Sequence, residues 1–365
     1  MKFTLADTRH NSELCRLARD IPMPGNIQVA FGRDPDFFYG RKVEGKVSQT
    51  IVAIEEDKVI GLGCRSIKPM YINGQVVNFG YLSGLRGSEA ARGTTALARG
   101  FRFLRRLHED KRTLAYITTI VEDNVYAKNL LESGRAGLPR YIDLGKYYTL
   151  AINMNSWRRG RLRRDGISVS RGDRVGMKEI VAFLSRCGKE RQFFPVYTEE
   201  DFHSEYTRDF DPRDFYVAIR RNEVIGVVAK WDQSGFKQNI VTGYAGLLKS
   251  FRWALNLVLT MTRFKALPEP GEQLRMFYVS FVCIKDNDPK VLEKLLETLY
   301  QDNKTKEYHY CVIGFHERDD LQDAIRRYVS VRYTSRLYLV AWEDGVDMCN
   351  RIDRGRIPYL EIGTM

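Results

Sequence analysis

The sequence predicts an α/β (α+β) fold made of two tandem copies of one unit, each a mixed, mostly antiparallel sheet flanked by helices. Three observations predict it. Val52-Ala53-Ile54 followed by Val59-Ile60-Gly61 returns as Val217-Ala218-Ile219 followed by Val224-Ile225-Gly226, and both copies read strand, charged turn, strand. Residues 78–134 alternate glycine-interrupted apolar runs with segments of helical period. Between the copies, Trp157-Arg158-Arg159-Gly160-Arg161-Leu162-Arg163-Arg164 is strongly basic and has no apolar period. The expected division is therefore 1–155 for the first unit, 156–166 for a basic linker, 167–345 for the second unit and 346–365 for a tail.

In chain order, Lys2–Asp7 reads as a strand, and Asp7 or Asn11 can cap a helix covering Leu14 to Ala18. Phe31–Tyr39 is aromatic and punctuated by proline, the pattern of a loop or short helix at a pocket mouth. Gln49–Glu55 and Val59–Ile67 form a hairpin, and Asn73-Gly74 turns the chain into the next strand. That strand, Asn78 to Arg86, contains Gly80 and Gly84; glycine inside a strand pattern marks a bulge or a close backbone approach. Arg92-Gly93-Thr94-Thr95 then opens a helix with Leu97, Phe101, Leu104 and His108 on one side and four arginines between them. Unpaired N–H groups and the helix dipole make such a start a phosphate seat. The plainer reading is an ordinary loop with a threonine cap. Leu114–Ile120 is a second strand, and Asp123 or Asn124 can cap the helix that follows it and ends at Gly134. Tyr141–Asp143 and Tyr147–Ile152 complete the first sheet.

In the second copy Met276–Ile284 parallels the bulged strand, and Cys311–Phe315 with Asp319–Tyr328 parallels the second strand and its helix. An insertion, Gly246–Gly271, holds a helix with Leu248, Phe251, Leu255, Val258 and Leu259 on one side. The turn after the bulged strand is Lys285-Asp286-Asn287-Asp288-Pro289, whose carboxylates would repel a pyrophosphate. This half is expected to shape substrate or structure and not to bind a nucleotide. In the tail, Ile357–Ile362 reads as a last strand.

The order of parts in 78–134 resembles the core of the GNAT superfamily of acyl-CoA-dependent N-acyltransferases. Asn124, Ala127, Leu130 and Glu132 match the family's N-x-x-A-x-x-L-Y-E helix, with Gly134 one place early, and Arg92-Gly93 match the start of its Gly-rich loop. Two departures stand out: the later loop glycines are Thr95 and Leu97, and the tyrosine that often acts as general acid is Leu131. The resemblance covers nearly all of residues 1–152 and implies acetyl-CoA as co-substrate. The thioester arm would pair with Leu82, Ser83, Gly84 and Leu85, the pyrophosphate with Arg92, Gly93, Thr94 and Thr95, and Asn124 would bond the cofactor arm. Acyl transfer to an amine needs a proton acceptor, an oxyanion donor and a route for the thiolate to leave. Glu122, at the end of the second core strand, is the candidate base; Tyr126 and Tyr81 are candidate acids. Each also has a plainer reading, Glu122 as a first-turn carboxylate and Asn124 as a helix cap.

Composition narrows the classes. Hydrophobic content of 44% and charged content of 28% describe a globular chain. Six scattered cysteines and five histidines give neither a disulfide framework nor a metal motif. The start, Met1-Lys2-Phe3, lacks signal-peptide character and Leu247–Leu267 carries too many charges to span a bilayer, so a cytoplasmic protein with no membrane partner is expected. The net charge of +12 favours anionic partners. The leading reading is an N-acetyltransferase acting on an amine. A non-catalytic acyl-CoA sensor is the alternative, and a nucleic-acid binder working through Trp157–Arg164 ranks last.

Overall fold

The computed structural model describes residues 1–20, 27–88, 91, 95–134, 137–154, 166–261, 265–304 and 307–365. Among these the first part of the chain runs β1 (Lys2–Leu5), α1 (Asn11–Arg19), β2 (Ile27–Gly32), α2 (Phe37–Lys42), β3 (Val47–Glu55), β4 (Lys58–Ile72), β5 (Gln75–Gly87), α3 (Ala96–His108), β6 (Tyr116–Val121), α4 (Val125–Leu131) and β7 (Arg140–Asn153). The second part runs β8 (Ser168–Arg171), α5 (Gly172–Val175), α6 (Met177–Gly188), β9 (Phe215–Arg220), β10 (Glu223–Trp231), β11 (Gln238–Tyr244), α7 (Gly246–Met261), β12 (Met276–Ile284), α8 (Pro289–Asn303), β13 (Tyr310–His316), β14 (Ser330–Ala341) and α9 (Val346–Asn350).

Twelve strands form one sheet in the order β1-β3-β4-β5-β6-β14-β7-β13-β12-β10-β9-β8. Neighbours are antiparallel except for two parallel pairs, β5–β6 and β12–β13. The order is symmetric about the β14–β7 pair, and the α/β fold read from the sequence, a mixed sheet flanked by helices, is observed as one continuous sheet. The copies join by exchange of strands. β14, late in the chain, lies between β6 and β7, while β7 pairs with β13 along seven residues, Tyr310↔Asn153 to His316↔Tyr147. A separate two-stranded ribbon, β2 with β11, ties the copies together again.

Alternation along β3 shows how the layers form. Ile51 packs on one face with Phe101 and Leu104 of α3, while Val52 packs on the other with Leu14 and Leu17 of α1. α3 keeps its arginines in solvent and buries Phe101, Leu104 and His108. His108 fixes the helix end, with Nδ1 2.9 Å from Tyr116 Oη and Nε2 3.1 Å from Asp344 Oδ1. Phe101 and Leu104 share their cluster with Tyr338, Val340 and Trp342, so the first copy's helix packs partly on the second copy's strand.

Two expectations are corrected. The tail residues Ile357–Ile362 add no strand to the sheet; they run as an extended segment that reaches β12 through Tyr359 and Glu361. In α7, Phe251, Leu255 and Val258 are exposed, because Arg252 and Asn256 turn toward the body and bond to residues 267–269. All six cysteines are free thiols. Among the described residues no helix is long and apolar enough to cross a membrane, and no cluster of His, Cys, Asp or Glu is placed to hold a metal ion. Residues Trp157–Arg164 of the basic run lie outside the described residues.

Candidate active site

The two parallel pairs are where the sheet opens. β5 and β6 pair only at Gly80↔Tyr116 and Tyr81↔Ile117. Gly80 is required there, since a Cβ would lie 2.0 Å from the Tyr116 ring. The Thr118 hydroxyl donates to the Leu82 carbonyl at 2.8 Å, and no paired positions follow. On its other side β5 bulges: Leu62 faces Arg86 and Cys64 faces Ser83, so Gly84 and Leu85 stand opposite the single residue Gly63. Gly84 takes φ +64°, a left-handed conformation costly for a side chain. The amides of Gly84 and Leu85 meet no side chain among the described residues, and Leu85 is 54% exposed.

Beneath this edge, Leu82 packs on the α3 side and Ser83 on the other. The Ser83 hydroxyl donates to Glu44 Oε2 at 2.8 Å and accepts from Arg41 at 3.1 Å, and Arg41 and Glu44 form a buried ion pair. The Ser83 side chain is thus engaged within the protein. α3 begins at Ala96 with Thr95 at its cap position, without a side-chain cap bond and without an acidic residue in the first turn. Arg92, Gly93 and Thr94 lie outside the described residues.

The remaining predicted residues gather at the end of β6. Because β5 and β6 run parallel, this is the edge at which β5 delivers its bulge and α3 begins. Asn124 caps α4, its Oδ1 accepting from the Ala127 amide at 3.1 Å. Glu122 Oε1 lies 3.3 Å from Arg336 Nε and 3.8 Å from Lys128 Nζ, while its Oε2 is buried without a hydrogen-bond partner among the described residues. Tyr126 is exposed on α4, and Leu131 is buried against α3.

The second opening has the same backbone. β12 and β13 pair over Met276↔Tyr310, Phe277↔Cys311 and Tyr278↔Val312 and then part. Val227 faces Cys283 and Ala229 faces Ser280, so Phe281 and Val282 stand opposite Val228 as Gly84 and Leu85 stand opposite Gly63. Phe281 even shares the positive φ, +55°. Here the opening is filled. The Phe281 amide donates to Glu361 Oε2 at 2.7 Å and the Val282 amide to Tyr359 Oη at 3.1 Å. The following helix is capped by Asp288, which accepts from the Lys290 amide at 2.9 Å.

Between the openings lies a small cavity that the sequence reading missed. Lys68 and Met70 of β4, Tyr81 of β5, Ile117 of β6 and the tail residues Glu361 and Thr364 are part of its wall. It sits at the head of the first opening, since Tyr81 and Ile117 are the last paired residues there. Lys68 is buried and donates to Thr364 Oγ1 at 2.6 Å. Burial pushes its ammonium down to about 8, although Glu361 and Glu44 pull the other way. Burial likewise raises the Tyr81 hydroxyl, and it raises Glu361 despite the hydrogen bonds that favour its carboxylate. The one signal in the sequence was a lysine and a glutamate set in otherwise apolar runs, Ile67 to Ile72 and Ile357 to Ile362.

No protein-family model matches the sequence, and no curated protein matches it. Solved structures do. The chain is similar to a GCN5-related N-acetyltransferase from Anabaena variabilis, at 10% identity and TM-score 0.51, over 93% of this chain and 72% of that one. It is similar to yeast (Saccharomyces cerevisiae) N-myristoyltransferase solved with bound myristoyl-CoA, at 11% identity and TM-score 0.57, over 93% and 82%. A glucosamine N-acetyltransferase region of a fungal multi-domain β-N-acetylglucosaminidase matches at 14% identity and TM-score 0.60, over 93% of this chain but 38% of that protein. The chain has the GNAT fold.

Proposed function

We propose that this protein is a CoA-dependent N-acyltransferase whose first opening holds the acyl-CoA and whose second copy supports the acceptor site. The observation that carries this is the pair of bulges. In the second copy the bulge amides bind two oxygen acceptors of the protein's own tail, while in the first the equivalent amides of Gly84 and Leu85 meet no side chain among the described residues. A thioester or pantetheine carbonyl is an acceptor of the same kind. The first turn of α3 has no carboxylate and the Thr95 side chain makes no cap bond, which favours a pyrophosphate there, with Arg92, Gly93, Thr94 and Thr95 as its proposed seat. Asn124 serves as helix cap in any case.

The chemistry follows from the same edge. The amine nitrogen attacks the thioester carbon, and a bulge N–H stabilises the oxyanion. The C–S bond breaks, and CoA leaves as a thiolate that solvent protonates. The candidate acceptor of the amine's proton is Glu122, which stands at the same edge: Arg336 and Lys128 meet its Oε1, and its buried Oε2 has no hydrogen-bond partner among the described residues. Tyr126 is exposed, and a thiolate is stable enough to leave unaided. Acetyl-CoA is the proposed donor.

Leu131, buried where the family often has its acid, favours one second reading, an acyl-CoA sensor without turnover. Calorimetric titration with acetyl-CoA, followed by thiol release with a panel of amines, separates the two. Binding with turnover supports the enzyme and binding without turnover supports the sensor. A folded protein that binds no acyl-CoA refutes both.

A further inference from the structure

α7 is built inside out. At 3.6 residues per turn, Leu248, Arg252, Asn256 and Leu259 lie along the side that meets the body. Leu248 packs against the cluster of Val241, Tyr244 and Leu274. Asn256 makes two bonds to Leu267, donating to its carbonyl at 3.0 Å and accepting from its amide at 2.8 Å. Arg252 donates to Glu269 Oε2 at 2.6 Å. The polar side chains are the anchors. The opposite side carries Leu247 (80% exposed), Phe251, Trp253 (70%), Leu257, Val258 and Met261 (78%). Over roughly half the circumference Ser250 is the one hydroxyl or charged side chain. A soluble surface rarely shows a continuous apolar face of this kind without a partner.

We propose that α7 is an interfacial helix that seats this protein on an anionic bilayer surface. Its apolar face enters the headgroup–acyl boundary, and Lys249 lies at the edge of that face. Three features favour a bilayer over another protein. Partners that take a helix in a groove read a narrow stripe at i, i+3, i+4 and i+7, whereas this face is broad. It combines Trp and Phe with aliphatic residues, the composition that settles at a membrane interface. Charge agrees: Lys249 stands at the edge of the face and Gly246–Met261 holds no carboxylate, in a chain of net charge +12. The helix lies on the surface and does not cross, being too short and carrying those cations. This was not legible in the sequence, because a stretch too polar to span reads as a buried amphipathic helix.

The test is flotation of the full chain with phosphatidylcholine vesicles, with or without about 30% phosphatidylglycerol. The comparison is a Phe251→Ser, Trp253→Ser, Leu257→Ser variant. That variant keeps every charge and alters only exposed positions, so its melting curve should match the wild type. The expected result is flotation with the anionic vesicles, about tenfold weaker on neutral ones, and weakened about tenfold or more by the triple substitution. Failure of wild-type protein to float with either vesicle, or equal flotation of the variant, would overturn the proposal. So would a dimer seen by light scattering that the substitutions abolish, since that assigns the face to a second copy. None of these outcomes depends on acyl transfer.

Discussion

The two openings of the sheet share a backbone and differ in what fills them. Both follow a short parallel pairing, and both carry a bulge whose first residue has positive φ. In the second, the bulge holds Phe281, fully buried, its ring stacked on Trp231 with centroids 5.6 Å apart, and its amide is taken by Glu361. In the first, the bulge holds Gly84 and an exposed Leu85. The tail therefore acts as a built-in ligand and displays what the bulge recognises: two oxygen acceptors on successive amides. The helix starts differ in the same sense, Asp288 capping α8 while Thr95 leaves α3 without a side-chain cap bond. One bulge is sealed by the tail, and the other is the site proposed for acyl-CoA.

The largest effects should come from treating the bulges alike. Phe281→Ala removes a ring from a packed aromatic cluster and leaves a side chain at positive φ, so it should cost about 3–5 kcal/mol in denaturant unfolding. The folded fraction should keep its acyl-CoA affinity. Gly84→Val should do the reverse. A branched side chain at φ +64°, with Cys64 Sγ 3.3 Å from its Cβ, should cost about 1–3 kcal/mol and reduce acyl-CoA affinity about 100-fold in calorimetry. If both variants lose stability and binding together, the division between structure and site fails.

Lys68 sharpens the comparison through pH. Its ammonium is pushed down to about 8 from 10.5, so the unfolded chain binds more protons between those values, and stability should rise with pH across that window. The burial penalty is full below about 8 and gone above 10.5. Lys68→Met should accordingly stabilise the protein at pH 7 by about 1–3 kcal/mol, with little gain at pH 10.5. An unchanged stability profile in the variant would dismiss the buried ammonium as the cause.

Helix caps give the smallest effects. Asp288→Ala should cost about 1 kcal/mol and leave acyl-CoA binding alone. Thr95→Asp should add about 0.5–1 kcal/mol by capping α3 while weakening acyl-CoA binding about tenfold, since it sets a carboxylate beside the pyrophosphate seat. Thermal melts and calorimetry on the two variants check both halves of this statement.

What the sequence revealed was mostly local. Gly80 and Gly84 marked the bulged strand because a ring and a positive φ each exclude a side chain. Asn124 marked a cap because its oxygen reaches an amide three residues on. The repeated hairpins exposed the two copies, and through them the second bulge, although Phe281 carries no glycine signal. Long-range choices were hidden. Nothing in the alternation of Ser330–Ala341 says that it pairs with β6 and β7, since any strand with one apolar face would fit. Lys68 and Thr364 meet across 296 residues, a separation no periodicity reports. Tyr359 and Glu361 read as alternate positions of a strand, and the structure uses that alternation to reach successive amides of β12. In α7 the apolar stripe pointed to burial, but the hydrogen bonds of Arg252 and Asn256 decided the rotation.

The central claim is that the first opening binds acyl-CoA and the second is sealed. Hydrogen exchange of the backbone amides, followed by mass spectrometry with and without acetyl-CoA, addresses it directly. The account predicts slow exchange at residues 279–284 in both states and rapid exchange at residues 82–87 that slows when acetyl-CoA is added. Slowing at residues 279–284 in place of 82–87, or no change anywhere in a folded protein at saturating acetyl-CoA, would contradict it.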